Sequence, residues 1–215
     1  MKILGIDEAG RGPVIGPLVI AAVVIDEDKE VNLKRMGVKD SKLLGRKKRE
    51  ELFHKIIKFY EFKFLIIPPS EIDDALASET LNLNWLEAQK SAILINELKP
   101  GKAILDCPSP NLKRYKEYVK EILKSDTELI VEHKADFNHP VVAAASIIAK
   151  VIRDDEISKI QKGIKENIGS GYIADPATQR FLDQNHDKYP EIIRKSWSSY
   201  TKSVNRRLQK NLGDF

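Results

Sequence analysis

One cysteine, four histidines and two tryptophans leave this 215-residue chain little with which to build soft-metal or disulfide chemistry. Cys107 alone excludes an intrachain disulfide framework and a zinc site of several thiolates, and it fits a reducing compartment, so a cytoplasmic protein is expected. No long apolar run exists either: even PLVIAAVVI is closed by Asp26, which excludes a membrane-spanning helix. At the N-terminus Asp7 and Glu8 interrupt the apolar segment too early for a signal peptide.

What is present is a globular composition, 42% hydrophobic and 32% charged, with length for one large domain or one domain plus an appendage. The net charge of +4 is unevenly placed. Residues 34–49 carry eight Lys or Arg against Asp40 alone, and residues 187–215 carry seven against three acids. The remainder must therefore be acidic, a pattern suited to holding a polyanion around a carboxylate-rich centre, although solvated helix faces give the same counts.

KILGID and PLVIAAVVID read as strands joined by the Gly- and Pro-rich turn AGRGPVIG. Residues 45–60 have a helical pattern with Leu52, Phe53, Ile56 and Ile57 on one face, and FKFLIIP follows as a third strand. Ser70 with Asp73 resembles a capped helix start, residues 80–98 are helical, and KAILD at 102–106 is strand-like. Leu112, Tyr115, Val119 and Ile122 form a helical stripe, ELIVEHKAD at 128–136 is a fifth strand candidate, and a helix rich in small residues runs from His139. Its Val141, Ala145, Ile148 and Ile152 fall on one side. GSGYIAD at 169–175 breaks the pattern, which predicts a domain change between residues 160 and 175. The whole describes an α/β architecture with a mixed sheet.

Acids stand at three predicted strand exits: Asp7 with Glu8, Asp106, and Asp136. A lone Asp-Glu pair at a strand tip is usually just exposed, and successive strand residues face opposite ways, so both can serve one site only where the strand ends or distorts. Repetition at three strand exits lets the acids converge if those strands are neighbours and point the same way. All-oxygen ligands with no cysteine or ordered histidine pair select a hard ion, Mg²⁺ or Mn²⁺, and two such ions suit in-line phosphodiester hydrolysis.

DEAGRGPVIGP at 7–17, DSKLL at 40–44, LDCPSP at 105–110, KADFNHPVVAAASIIAKVIRD at 134–154 and GSGY at 169–172 resemble the ribonuclease HII family in content, order and spacing, most closely its archaeal members. The resemblance covers nearly the whole chain. It implies an RNase H-like catalytic domain at 1–165, with a five-stranded mixed sheet flanked by helices, and a small helical substrate-binding extension at 166–215. It implies cleavage of the RNA strand of RNA/DNA hybrids and incision 5′ of single ribonucleotides embedded in duplex DNA, leaving 3′-hydroxyl and 5′-phosphate ends. The family's catalytic, metal-binding carboxylates fall on Asp7, Glu8, Asp106 and Asp136. Gly10, Arg11 and Gly12 match the turn whose backbone meets the ribose 2′-hydroxyl, and Tyr172 matches the tyrosine against the next deoxyribose. Lys42 falls in the aspartate-serine-lysine stretch and is expected at a substrate phosphate. The related ribonuclease HIII class carries an added N-terminal domain, for which six residues before Asp7 leave no room.

Ser146 and Lys150 share a helical face near Asp136, and packing explains them as well as chemistry does. His133 and His139 read as turn or surface residues, while Trp197 and Tyr200 amid Lys195 and Lys202 suit either a stacking surface or a small core. A replication clamp is a candidate partner for the C-terminus, and a monomer is expected. Two rivals share parts of this pattern. A strand transferase or junction resolvase would use a similar carboxylate cluster but not the turn at 10–12, and a non-cutting hybrid binder would need no Mg²⁺.

Overall fold

The computed structural model describes residues 1–39, 41 and 44–213, with side chains through residue 205. Lys42, with Asp40 and Leu43, lies outside the described residues. The elements follow in the order β1 (Lys2–Ala9), β2 (Leu18–Asp26), α1 (Glu30–Arg35), α2 (Arg46–Phe59), β3 (Glu61–Ile67), α3 (Pro69–Ala77), α4 (Leu83–Leu98) and β4 (Lys102–Asp106). Then come α5 (Leu112–Ile122), β5 (Glu128–Glu132), α6 (Ala135–Asn138), α7 (Pro140–Gly163), α8 (Pro176–Asn185) and α9 (Ser198–Gly213). The sheet is mixed and five-stranded, in the order β3-β2-β1-β4-β5. β1 pairs antiparallel with β2 and parallel with β4, which in turn is parallel to β5.

Two compact units share the chain. The first comprises residues 1–9, 19–66 and 83–152. Its central strands β1, β2 and β4 are rich in aliphatic residues because they are buried on both faces, whereas the edge strands β3 and β5 are mostly exposed or half-buried. Helix α2 buries Leu52 and Ile56 fully, with Phe53 and Ile57 packed beside them, and α5 buries Tyr115 and Val119. The start of α7 lies directly on β1: a Cβ at Gly5 would come 2.4 Å from the Val141 carbonyl carbon, so only glycine permits this approach. The expected one-sided stripe of α7 is wider than its spacing suggests. Residues 141–149 are all buried, because Ala143, Ala144, Ala145 and Ala149 let neighbours close in all round.

The second unit gathers residues 10–18, 67–82 and 153–215. Its core is Val14, Ile15, Ile168, Phe181, Leu182, Ile192 and Ile193, with an isolated antiparallel bridge between Ile15 and Ile193. Two local expectations change. Helix α3 starts at Pro69 after an extended Pro68, without a side-chain cap. Proline pre-sets the first turn, and Asp73 accepts instead from the Lys195 and Ser196 amides at 2.9 and 3.0 Å. Strand β5 stops at Glu132 rather than reaching Asp136, since Lys134 adopts a left-handed conformation (φ 58°) that turns the chain into α6. Among the described residues no helix is long and apolar enough to cross a membrane.

Candidate active site

Parallel pairing of β1 with β4 sets Ile6 beside Leu105, so Asp7, within β1, and Asp106, the last residue of β4, come next on adjacent strands that run in the same direction. Asp7 is 5% exposed, and its carboxyl is held well above the usual range by burial first, then by the charge of Glu8, with Asp106 adding to it. Two donors oppose that rise. Ser146 on α7 donates a hydroxyl hydrogen bond, and the Glu8 amide donates to Asp7 Oδ1 at 2.8 Å. The latter bond folds the Asp7 side chain back along the strand toward Glu8. Both acids lie in regular register with β2, opposite Ala21 and Ile20, so β1 runs past them to Ala9 rather than ending or distorting there.

Asp106 Oδ1 accepts from the Ala135 amide at 2.9 Å, which ties the start of α6 to the end of β4. Asp136 follows on α6 and is 5% exposed. Asp7, Glu8 and Asp106 thus share one electrostatic environment, with Asp136 anchored next to Asp106 through its neighbour's backbone. Among the described residues no three acid, histidine or cysteine side chains are drawn in around a common point. The donor set fits hard divalent ions nonetheless. A buried carboxyl whose charged neighbours, Glu8 and Asp106, are themselves carboxylates wants a cation, and Mg²⁺ keeps several waters and needs only one or two carboxylates directly. Cys107 is no competitor, since burial pushes its thiol up to about 11. His133 faces the Cys107 carbonyl at 3.1 Å and His139 the Glu132 carboxylate at 3.1 Å.

In the second unit Gly10 has φ +86°, a conformation that favours glycine. The carbonyls of Gly10 and Arg11 accept from Arg194, and that of Gly12 from Trp197 Nε1. Tyr172 lies beside Gly12, where an added Cβ would meet its Cε1 at 3.8 Å. Arg153 covers the Tyr172 ring at 5.3 Å while donating to the Ser170 carbonyl at 3.0 Å. Burial lowers the Arg153 pKa, against the opposing pull of Tyr172 and Asp154. The structure therefore brings Gly12 and Tyr172 together, as it does Asp7, Glu8 and Asp106. Ser146, Arg153 and Arg194 were not singled out as site residues from sequence. Only Ser146 carried a signal, its helical face near Asp136.

A five-stranded mixed sheet in this order, with acids leaving adjacent parallel strands, defines the RNase H-like class of nucleases. The ribonuclease HII family model matches residues 4–200. A ribonuclease HII of Thermococcus sibiricus is 46% identical over 98% of this chain and 94% of its own. Among solved structures, the ribonuclease H2 of Pyrococcus horikoshii aligns with a TM-score of 0.88 at 42% identity, covering 97% of this chain and 99% of the other. The ribonuclease HII of Archaeoglobus fulgidus, solved in complex with PCNA, aligns at 0.83 with 38% identity over 92% and 96%. The chain belongs to the ribonuclease HII family. It is an enzyme, a divalent-metal-dependent ribonuclease H that hydrolyses the RNA strand of RNA/DNA hybrids. Neither the transferase nor the non-cutting reading fits that membership.

Proposed function

We propose that the enzyme cuts hybrids and also incises 5′ of a single ribonucleotide in duplex DNA, with Asp7, Glu8, Asp106 and Asp136 as metal ligands for two Mg²⁺ or Mn²⁺ ions. The observation that carries this is the buried Asp7 carboxyl set among acidic neighbours on adjacent parallel strands. Bound divalent ions supply Lewis acidity there, lowering the pKa of a water and neutralising the leaving oxygen. Asp7 and Asp106 hold their carboxylates on adjacent strands, Ser146 and the Glu8 amide orient Asp7, and the Ala135 amide orients Asp106. Gly10, Arg11 and Gly12 meet the ribose 2′-hydroxyl, the group that separates RNA from DNA. Tyr172 packs on the following deoxyribose, and Lys42 takes a phosphate.

Residues 166–215 act as the substrate-binding extension of a catalytic domain at 1–165; a clamp is the proposed partner, since the Archaeoglobus relative forms a complex with PCNA, and the C-terminus is the place we propose for it. Incubation with a duplex holding one ribonucleotide, with and without Mg²⁺, tests the reaction. A metal-dependent nick 5′ of the ribonucleotide, leaving 3′-hydroxyl and 5′-phosphate ends, is expected. Asp106→Asn should lower the rate by at least about a hundredfold, as loss of a major electrostatic element does. Cleavage of a tract of four ribonucleotides with the single one untouched would remove the junction-reading role from Gly10, Arg11, Gly12 and Tyr172.

A further inference from the structure

Arg194 is fully buried, and its guanidinium is spent on the backbone of one loop. Nη2 donates to the Gly10 carbonyl at 2.6 Å, Nη1 to the Arg11 carbonyl at 2.9 Å and Nε to the Gly16 carbonyl at 3.0 Å. Its own amide donates to the Val14 carbonyl at 2.9 Å. The guanidinium lies 4.9 Å from the centre of the Trp197 ring, and Trp197 Nε1 donates to the Gly12 carbonyl at 3.0 Å. Three consecutive carbonyls of the Gly10–Gly12 turn are thus held by two side chains close together in sequence. Burying a cation is costly unless its donors are met, so the fork and the loop fix one another.

A trans peptide points its carbonyl and the following N–H in opposite directions. With the Gly10 and Arg11 carbonyls drawn to Arg194, the amides of Arg11 and Gly12 face away from it. The Gly12 carbonyl is held by Trp197, and the next residue, Pro13, has no N–H to offer. The turn therefore presents donors on the side opposite the clamp and acceptors on the clamp side. A ribose 2′-oxygen can accept from such donors, and a deoxyribose cannot. Donors held in place before the ligand arrives avoid the cost of ordering them on binding.

We propose that Arg194 and Trp197 are positioning residues that set the Arg11 and Gly12 amides for the 2′-hydroxyl and so fix ribose-over-deoxyribose discrimination. This rests on the junction-reading role proposed above for the turn. Lysine at 194 keeps the charge but not the planar fork, so Arg194→Lys satisfies fewer of the three carbonyls. Trp197→Phe keeps a ring over the guanidinium and removes the donor to Gly12. The measurement is fluorescence anisotropy with Ca²⁺ in the buffer, comparing a duplex holding one ribonucleotide with the identical all-DNA duplex.

Wild type should prefer the ribonucleotide duplex. Each variant should lose about fivefold of that preference, the worth of one loosened hydrogen bond, while its affinity for all-DNA duplex is unchanged. Full preference in both variants, or a parallel loss of affinity for the two duplexes, would overturn the clamp and leave Arg194 a purely structural cation. Absence of any preference in wild type would overturn the junction reading itself, and the clamp with it. Should Arg194→Lys fail to fold, Trp197→Phe alone decides between these outcomes.

Discussion

Asp7 is the residue in which fold and chemistry pull hardest against each other. Its carboxyl is buried, and the charges of Glu8 and Asp106 add to the burial penalty. Without a cation the ionised form is a liability, so Asp7→Asn in the presence of chelator should raise the melting temperature at pH 7 by roughly 2–4 °C for each kcal/mol recovered. Saturating Mg²⁺ should stabilise wild type more than the variant, and the variant should cut neither a hybrid nor a single-ribonucleotide duplex. A melting temperature that falls in chelator would show Asp7 to be satisfied without metal. Ser146 permits a milder test. Its hydroxyl lies 2.8 Å from that of Ser41 and donates to Asp7, so Ser146→Ala frees the carboxylate to turn. The loss of one such bond should cost kcat about tenfold. Hybrid affinity should be unchanged, which steady-state kinetics on a long hybrid would separate. The acids were legible in the sequence because their chemistry is local and their positions follow apolar runs. Ser146 was visible only as a neighbour on a helix face. Arg194 was not legible at all, because its meaning lies in carbonyls 178 to 184 positions away in the chain.

Elements were readable wherever burial repeats along a segment. β1, β2 and β4 announce themselves by continuous β-branched and aliphatic residues, and α2 and α5 by their stripes. Errors fall where one backbone torsion or one distant partner decides. Lys134 ends β5 early, and Asp73 serves residues 195 and 196 rather than its own helix. Nothing local revealed that residues 10–18 and 67–82 would join the C-terminal unit: the first do so through long-range packing of Val14 and Ile15, the second through the bonds of Asp73 to residues 195 and 196. One staple within that unit can be tested by pH. Glu166 accepts from Lys188 and from Tyr189 at 2.8 Å, which hold its carboxyl down at about 2. Because the folded value lies below the unfolded one, the bond contributes stability above the ordinary glutamate range. That contribution is lost as pH falls toward 2. Glu166→Gln should therefore melt lower than wild type at pH 7, with the gap closing progressively below pH about 4. A gap constant with pH would assign the effect to packing.

Charge is the property of the whole molecule that sequence counted and structure redistributes. In the first basic segment Arg46 pairs with Glu50 at 2.9 Å, Lys48 with Glu51 at 3.2 Å, and Arg49 donates to the carbonyls of Ser41 and Leu44. In the second, Arg194 is consumed by the loop and Lys188 pairs with Glu166. The raw excess thus overstates what can meet a polyanion. Removing residues 187–215 wholesale would not isolate that surface, for it would also take Ile192, Ile193 and Arg194 from the core of the second unit. The cleaner variant is Lys195→Gln with Lys202→Gln, both exposed and both beside or within the first turns of α9. If each meets a phosphate of duplex DNA, the slope of log affinity against log salt should flatten by roughly 0.9 per lysine. Cleavage of saturated substrate should persist, because neither is among the acids assigned to the metals. Lys188→Gln is the internal comparison: its charge is already partly neutralised by Glu166, so its slope should move least. Equal slopes in wild type and in the double variant would take this part of the tail off the contact surface and shift substrate binding to the remaining basic residues.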